Sequence, residues 1–200
     1  QVHALKGHLF RDFEWVFVDD LYEQRKDSLP KMVDNNFPLI HIPPREYVPY
    51  VAIAMAQNTG LEYASGELVF FMTDYIIPRA DSLGRHWEVY KKYKNVMISG
   101  HSIMVDFTPD NLQKLQAGDT FKGWDYRMGL FEELFPKHKI EDDLYEATRE
   151  GCQNWWAGRN DSAPLKALLA CNGFDETMDG RLGENHFPSD DVQCVRPRLQ

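Results

Sequence analysis

The sequence predicts an α/β domain of three layers, with helices on both faces of a mostly parallel sheet. Three observations predict it. Apolar, β-rich runs alternate along the chain with segments of helical spacing. One run, Leu68-Val69-Phe70-Phe71-Met72, is apolar without alternation, as a strand covered on both faces would be. Carboxylates follow two of the runs, at Asp19-Asp20 and at Asp74, as in folds that present polar groups at the carboxyl ends of their strands.

Val2 to Phe10 is mixed, with Leu5 and Leu9 at helical spacing, and reads as the tail of a helix. Phe13 to Val18 is rich in aromatic and β-branched residues and reads as a strand that stops at Asp19-Asp20. Leu39-Ile40-His41-Ile42 reads as a short strand closed by Pro43-Pro44. Tyr50 to Ser65 places Ala52, Ala56, Leu61 and Ala64 at helical spacing and predicts a helix stopped by Gly66. The apolar strand 68–72 comes next, in the middle of the sheet. Asp81 to Lys94 predicts an amphipathic helix capped by Asp81 or Ser82. Asn95 to Gly100 predicts a further strand. Residues 107–150 are polar, with helical pieces around Leu112 and Leu144. Asn160-Asp161-Ser162 reads as the lead-in to a short helix from Ala163 to Leu169, followed by Asn172 to Glu176 and a Gly-rich loop to Ser189.

Two hundred residues suit a single domain with a full core, and 43% hydrophobic with 26% charged residues is a globular composition. The net charge of -9 argues against nucleic acid as a partner, because phosphate backbones call for a basic surface. No apolar run reaches the roughly 18 residues of a membrane span. The three cysteines, Cys152, Cys171 and Cys194, show no CxxC spacing, which argues against a disulfide framework or a structural zinc site and fits a reducing compartment. The expectation is a cytoplasmic or membrane-peripheral protein.

Four strings carry chemistry. Asp19-Asp20 can accept hydrogen bonds from a base N–H and ribose hydroxyls, although Asp is also common in solvated turns. Asn58-Thr59-Gly60, Ala64-Ser65-Gly66-Glu67 and the apolar strand lead to Thr73-Asp74-Tyr75, where one carboxylate could hold a divalent cation against substrate phosphates. Trp155 and Trp156 can offer an apolar face to a sugar ring, although one of the pair could equally be core. They precede Gly158-Arg159-Asn160-Asp161-Ser162 and Asn172-Gly173-Phe174-Asp175-Glu176; Asn160-Asp161-Ser162 is also a formal glycosylation sequon. Asp190-Asp191-Val192 could supply a general base within reach of an acceptor hydroxyl. Each string alone fits a plain loop.

In this order, the strings resemble glycosyltransferase family 2. The strand with two aspartates resembles 13–20. The Asn-x-Gly, Ala-x-Gly-Glu, strand and DxD-type segment resembles 58–75, with Pro78 and Leu83 also fitting. The Gly-x-Asn-x-Ser and Gly-Phe-Asp-Glu segment resembles 158–176, and the Glu-Asp motif resembles Asp190-Asp191. The resemblance implies a GT-A domain and an inverting transfer from a nucleotide sugar, with UDP as the nucleotide, to a glycan, lipid-linked or protein acceptor. It implies nucleotide contacts at Asp19, Asp20, Asn58 and Asp74. It also implies Mg2+ or Mn2+ at Asp74, a base at Asp191 beside Asp190, and a donor and acceptor pocket shaped by Asn160, Gly173, Phe174, Asp175 and Glu176. Trp155 and Trp156 enter as acceptor-side candidates on physical grounds.

This chain departs from the pattern in keeping a single carboxylate in Thr73-Asp74-Tyr75. His186 is a possible second metal ligand. The family's first strand would precede Val2, so the resemblance also implies an N-terminally incomplete domain with a free sheet edge. Two rivals stand beside the transferase: a sugar-1-phosphate nucleotidyltransferase, and a non-catalytic carbohydrate-binding domain.

Overall fold

β-branched and aromatic side chains make the first two strands. β1 (Trp15–Val18) and β2 (Leu39–Ile42) pair in parallel, with Trp15 opposite Leu39 and Val18 opposite Ile42. The computed structural model describes residues 1–74, 76–100 and 160–180, together with 104–105, 109, 113 and 126–127. The β1–β2 connection carries α2 (Tyr22–Arg25) and α3 (Leu29–Val33), after which Asp34 and Asn35 take left-handed φ angles of 53° and 55°. Asp and Asn tolerate that region better than most residues. α1 (Val2–Lys6) packs its Val2 and Leu5 into a core with Leu29, Val33 and Phe37. Phe13, Trp15, Phe17, Leu39 and Met72 pack against that core.

The second half is built on β3 (Leu68–Phe71), β4 (Ile98–Ser99) and β7 (Asp161–Pro164). Their order is β3-β7-β4, and β7 runs antiparallel to both neighbours. Leu68 faces Pro164 and Phe71 faces Asp161. Pro164, which lacks an N–H, sits at the end of β7 where only β3 pairs with it. A separate antiparallel pair joins β5 (Met104–Val105) to β6 (Tyr126–Arg127).

α4 (Ile53–Tyr63) spans both halves. Its Gly60 lies against Val18 of β1, and its Leu61 packs with Phe71 and Ala163 in the second core. Val69, Leu165, Leu168 and Phe174 pack around that core. α5 (Ser82–Tyr93) buries His86 and Tyr90. α6 (Leu165–Ala170) follows β7 directly, and a 3-10 turn (Glu176–Met178) comes after it. Glu14, just before β1, accepts hydrogen bonds from the backbone N–H and hydroxyl of Ser65, in the lead-in to β3, at 2.6 and 2.8 Å.

The molecule is a mixed α/β fold, with one small parallel sheet and small antiparallel sheets. Four expectations are corrected. The sheet is not one mostly parallel unit: the apolar strand Leu68–Phe71 pairs antiparallel with β7, and its side chains are largely half-buried. Asp161-Ser162-Ala163-Pro164, read as a loop and the start of a helix, is a fully buried strand, and the helix begins only at Leu165. Local cap signals there lose to pairing on both sides. The α4 helix is shorter than 50–65, because Ala64 is already extended. The strand over 95–100 contracts to Ile98–Ser99. Asp81 does stand at the N-cap of α5, but its carboxylate binds Arg85 and Arg79 instead of the helix amides. Pro109 and Gln113 are helical; Leu112 and Leu144 lie outside the described residues. Among the described residues, no helix is long and apolar enough to cross a membrane.

Candidate functional site

The carboxyl end of β1 divides its two aspartates. The Asp19 N–H continues the ladder to the Ile42 carbonyl at 2.9 Å, which pulls its side chain inward, 3% exposed. Asp19 Oδ1 accepts from the Leu21 N–H at 2.9 Å and from Arg25 Nη1 at 3.1 Å. Its Oδ2 meets His41 Nε2 at 3.0 Å. His41 is held between the Phe17 ring, stacked at 5.6 Å, and the Tyr22 ring, edge-on at 4.8 Å. Asp19 is therefore committed to holding the loop, and Asp20 is the exposed carboxylate that a ligand can reach. On the outer side of this pair, a cleft of about 360 Å³ lies among Tyr22, Lys26, Asn35, Leu39 and His41.

Asp74, three residues beyond β3, is also exposed. Its neighbour Thr73 is pinned through its carbonyl, which accepts from Gln1 Nε2. Among the described residues, no three His, Cys, Asp or Glu side chains gather as a metal cage. One exposed carboxylate fits Mg2+ or Mn2+ that keeps most of its ligands as water and phosphate oxygens.

Two strings that are far apart in sequence meet tightly. Asn58, on α4, donates from Nδ2 to the Phe174 carbonyl at 2.9 Å and to Glu176 Oε1 at 2.8 Å. Its Oδ1 accepts the Phe174 N–H at 2.8 Å. The approach needs Gly173, which has φ +70°: a Cβ there would lie 2.3 Å from Asn58 Oδ1. Asn172, also left-handed at φ 64°, turns the chain into this contact. Glu176 in turn binds Arg45 Nη2 at 2.5 Å, and Arg45 reaches Glu62 at 3.3 Å. The Asn58 hydrogen bond and the Arg45 guanidinium hold the Glu176 carboxyl below its usual range. Asp175 accepts from the Thr177 N–H and hydroxyl, closing the 3-10 turn.

Asp179 completes the clamp. Its two oxygens accept the Ala54 and Met55 N–H groups at 2.9 and 2.8 Å. These are unpaired donors of the first turn of α4, where a carboxylate also opposes the helix dipole. Asp179→Asn, which keeps an acceptor but loses the charge, is expected to cost about 1 kcal/mol, and Asp179→Ala about 2. Urea midpoints of the two variants check this ordering.

The third region is built on a buried Ser–His pair. Asn160 and Ser162 both reach His86: Ser162 Oγ lies 2.7 Å from His86 Nδ1, and the Asn160 side chain hydrogen-bonds the same ring. Ser162 is 0% exposed, so the Ser–His pair cannot meet a substrate. Gly100 is required beside it, since a Cβ there would lie 2.3 Å from Asn160 Nδ2. Burial pushes His86 down to about 4.

Asp20 and Asp74 are thus placed as exposed carboxylates following strands. Asn58 and 173–176 are brought together as a clamp, and Asn160, partly buried, hydrogen-bonds the buried His86. Trp155, Trp156, His186, Asp190 and Asp191 lie outside the described residues. Sequence reasoning missed His41, His86 and Asp179. Only His86 left a signal, as a polar residue four positions before Tyr90 on the buried stripe of α5.

Searches for relatives return no matching family model and no matching curated protein.

Proposed function

We propose that this domain transfers a sugar from a nucleotide diphosphate sugar to an acceptor hydroxyl with inversion, on a GT-A sheet. The observation that carries the reading is the Asn58 clamp. The Asn-x-Gly and Gly-Phe-Asp-Glu strings that bear the resemblance are 116 residues apart and interlock through both faces of one amide. The contact ties a helix residue of the first string to the loop of the second.

In this reading the parallel and antiparallel sheets are parts of one sheet. Support comes from α4, which packs on both halves, and from the Glu14–Ser65 hydrogen bond that links the lead-ins to β1 and β3.

Asp20 would take the nucleoside, and Asp74 the metal and diphosphate. Asp191 would accept the proton of the acceptor hydroxyl as that oxygen attacks the anomeric carbon opposite the leaving diphosphate. A divalent cation at Asp74 would offset the charge that grows on the diphosphate.

Calorimetry with UDP, with and without Mn2+, tests this. The expected result is UDP binding at least about tenfold tighter with Mn2+, or about 1.4 kcal/mol. Asp74→Ala should abolish the metal effect, and Asp20→Ala should weaken UDP in both conditions. No UDP binding in either condition overturns the transferase. Glycan binding without any nucleotide binding selects the non-catalytic carbohydrate-binding reading, which the lone carboxylate at Asp74 favours.

A further inference from the structure

The exposed carboxylate of Asp74 stands on a turn whose backbone is held from another part of the chain. The Ile76 N–H returns to the Thr73 carbonyl at 3.1 Å and closes that turn. The Gln1 side chain then braces it. Its Nε2 donates to the Thr73 carbonyl and, at 3.0 Å, to the Ile76 carbonyl. A primary amide nitrogen carries two hydrogens, so one group serves both acceptors. The carbonyls on either side of Asp74 are thereby tied to a single atom.

Both sides of this contact rest on one core. Gln1 is the N-cap residue of α1, and its carbonyl accepts the Leu5 N–H at 2.9 Å. Val2 and Leu5 of that helix are buried with Leu29, Val33 and Phe37. Met72, the residue before Thr73, packs against the same cluster. A second tie lies further along, where the Leu9 N–H donates to the Ala80 carbonyl at 2.8 Å. The segment 1–9 thus grips the chain on both sides of Asp74.

The carboxylate itself is left uncommitted. Asp74 forms no hydrogen bond or ion pair among the described residues, whereas both oxygens of Asp19 are occupied. A cation held by several protein ligands is oriented by all of them together. A cation held by one carboxylate, with water and phosphate in its other positions, sits wherever the backbone puts that carboxylate. Preorganisation then has to come from the turn, because a loose turn would lose entropy at every binding event.

We propose that Gln1 is a positioning residue for the metal and diphosphate: its side-chain amide fixes the turn that presents Asp74. This rests on the transferase reading above, in which Asp74 takes the metal.

The test is Gln1→Met in the whole chain, which keeps the length of the side chain and removes the donor. In calorimetry, the roughly tenfold gain in UDP affinity from Mn2+ should shrink to about threefold or less, while UDP alone binds within about twofold of the natural chain. In an Asp74→Ala background, Gln1→Met should change neither affinity further. Amide hydrogen exchange at Ile76 should quicken at least about fivefold, with the Asp19 amide within about twofold as the check that the fold is intact. An undiminished Mn2+ gain overturns the positioning role, and so does unchanged exchange at Ile76. Equal weakening of UDP with and without Mn2+ overturns it too, and leaves Gln1 a residue of the fold only. The natural chain tells the remaining failures apart. No UDP binding there sinks the transferase itself, and UDP binding without a Mn2+ gain removes the metal site that Gln1 would serve.

Discussion

Gly173→Ala is expected to destabilise the domain by about 3 kcal/mol and to lower its melting temperature by roughly 6–12 °C. Two costs add. The residue sits at φ +70°, where a side chain costs about 1 kcal/mol relative to glycine. The new Cβ would also meet Asn58 Oδ1 at 2.3 Å, a contact that no real structure tolerates. Asn58 cannot swing aside cheaply, because its amide holds the Phe174 N–H, the Phe174 carbonyl and Glu176 at once. Moving it gives up three hydrogen bonds worth about 1 kcal/mol each and leaves partly buried backbone groups unpaired. A double-mutant cycle separates the two costs. In an Asn58→Ala background the clash is gone, so Gly173→Ala should cost only about 1 kcal/mol there. Additivity of the two substitutions would show that Asn58 is not what Gly173 accommodates.

Acid should unfold the domain through His86. Burial holds its folded value near 4, against 6.5 for a free imidazole. The folded form therefore prefers the neutral ring. The stability this confers is complete above about pH 6.5, shrinks as pH falls from there toward 4, and is gone below that. The full span corresponds to about 3 kcal/mol, of which about 2 is lost between pH 7 and pH 4.5. Carboxylates titrate in the same window, so the comparison has to be internal. His86→Gln keeps a polar partner for Ser162 and Asn160 without a titrating ring. Its urea midpoint at pH 7 should lie below that of the natural chain, and the gap should close or reverse at pH 4.5. Equal pH dependence of the two proteins would remove His86 as the cause.

The strands that the sequence reveals are those whose own residues demand burial. Leu68–Phe71 is apolar throughout and Leu39–Ile42 is apolar but for His41, and no helix signal competes. β7 is the opposite case. Asp161, Ser162 and Pro164 are all residues that begin helices, and they are buried here because His86, β3 and β4 supply their partners. Nothing local announces those partners. The site divides in the same way. Asp19-Asp20 was visible as a pair, but which of the two stays open is decided by His41 and Arg25. Asn58 and Gly173 were each visible within a string. That they touch is a property of the fold, which neither string announces alone.

The carboxylate that caps α4 comes from a residue 124 positions beyond the amide it binds. Closing so long a loop is entropically costly and must precede any gain from the contacts it makes. The N-terminal half can gather its own core as it leaves the ribosome, but α4 lacks a finished first turn until residues 172–180 have been synthesised. The first turn of α4 and the 43–52 loop before it are tied down by contacts from residues 176–180. A chain ending before residue 176 is expected to lose these anchors and to be cut faster within 43–52, which limited proteolysis checks.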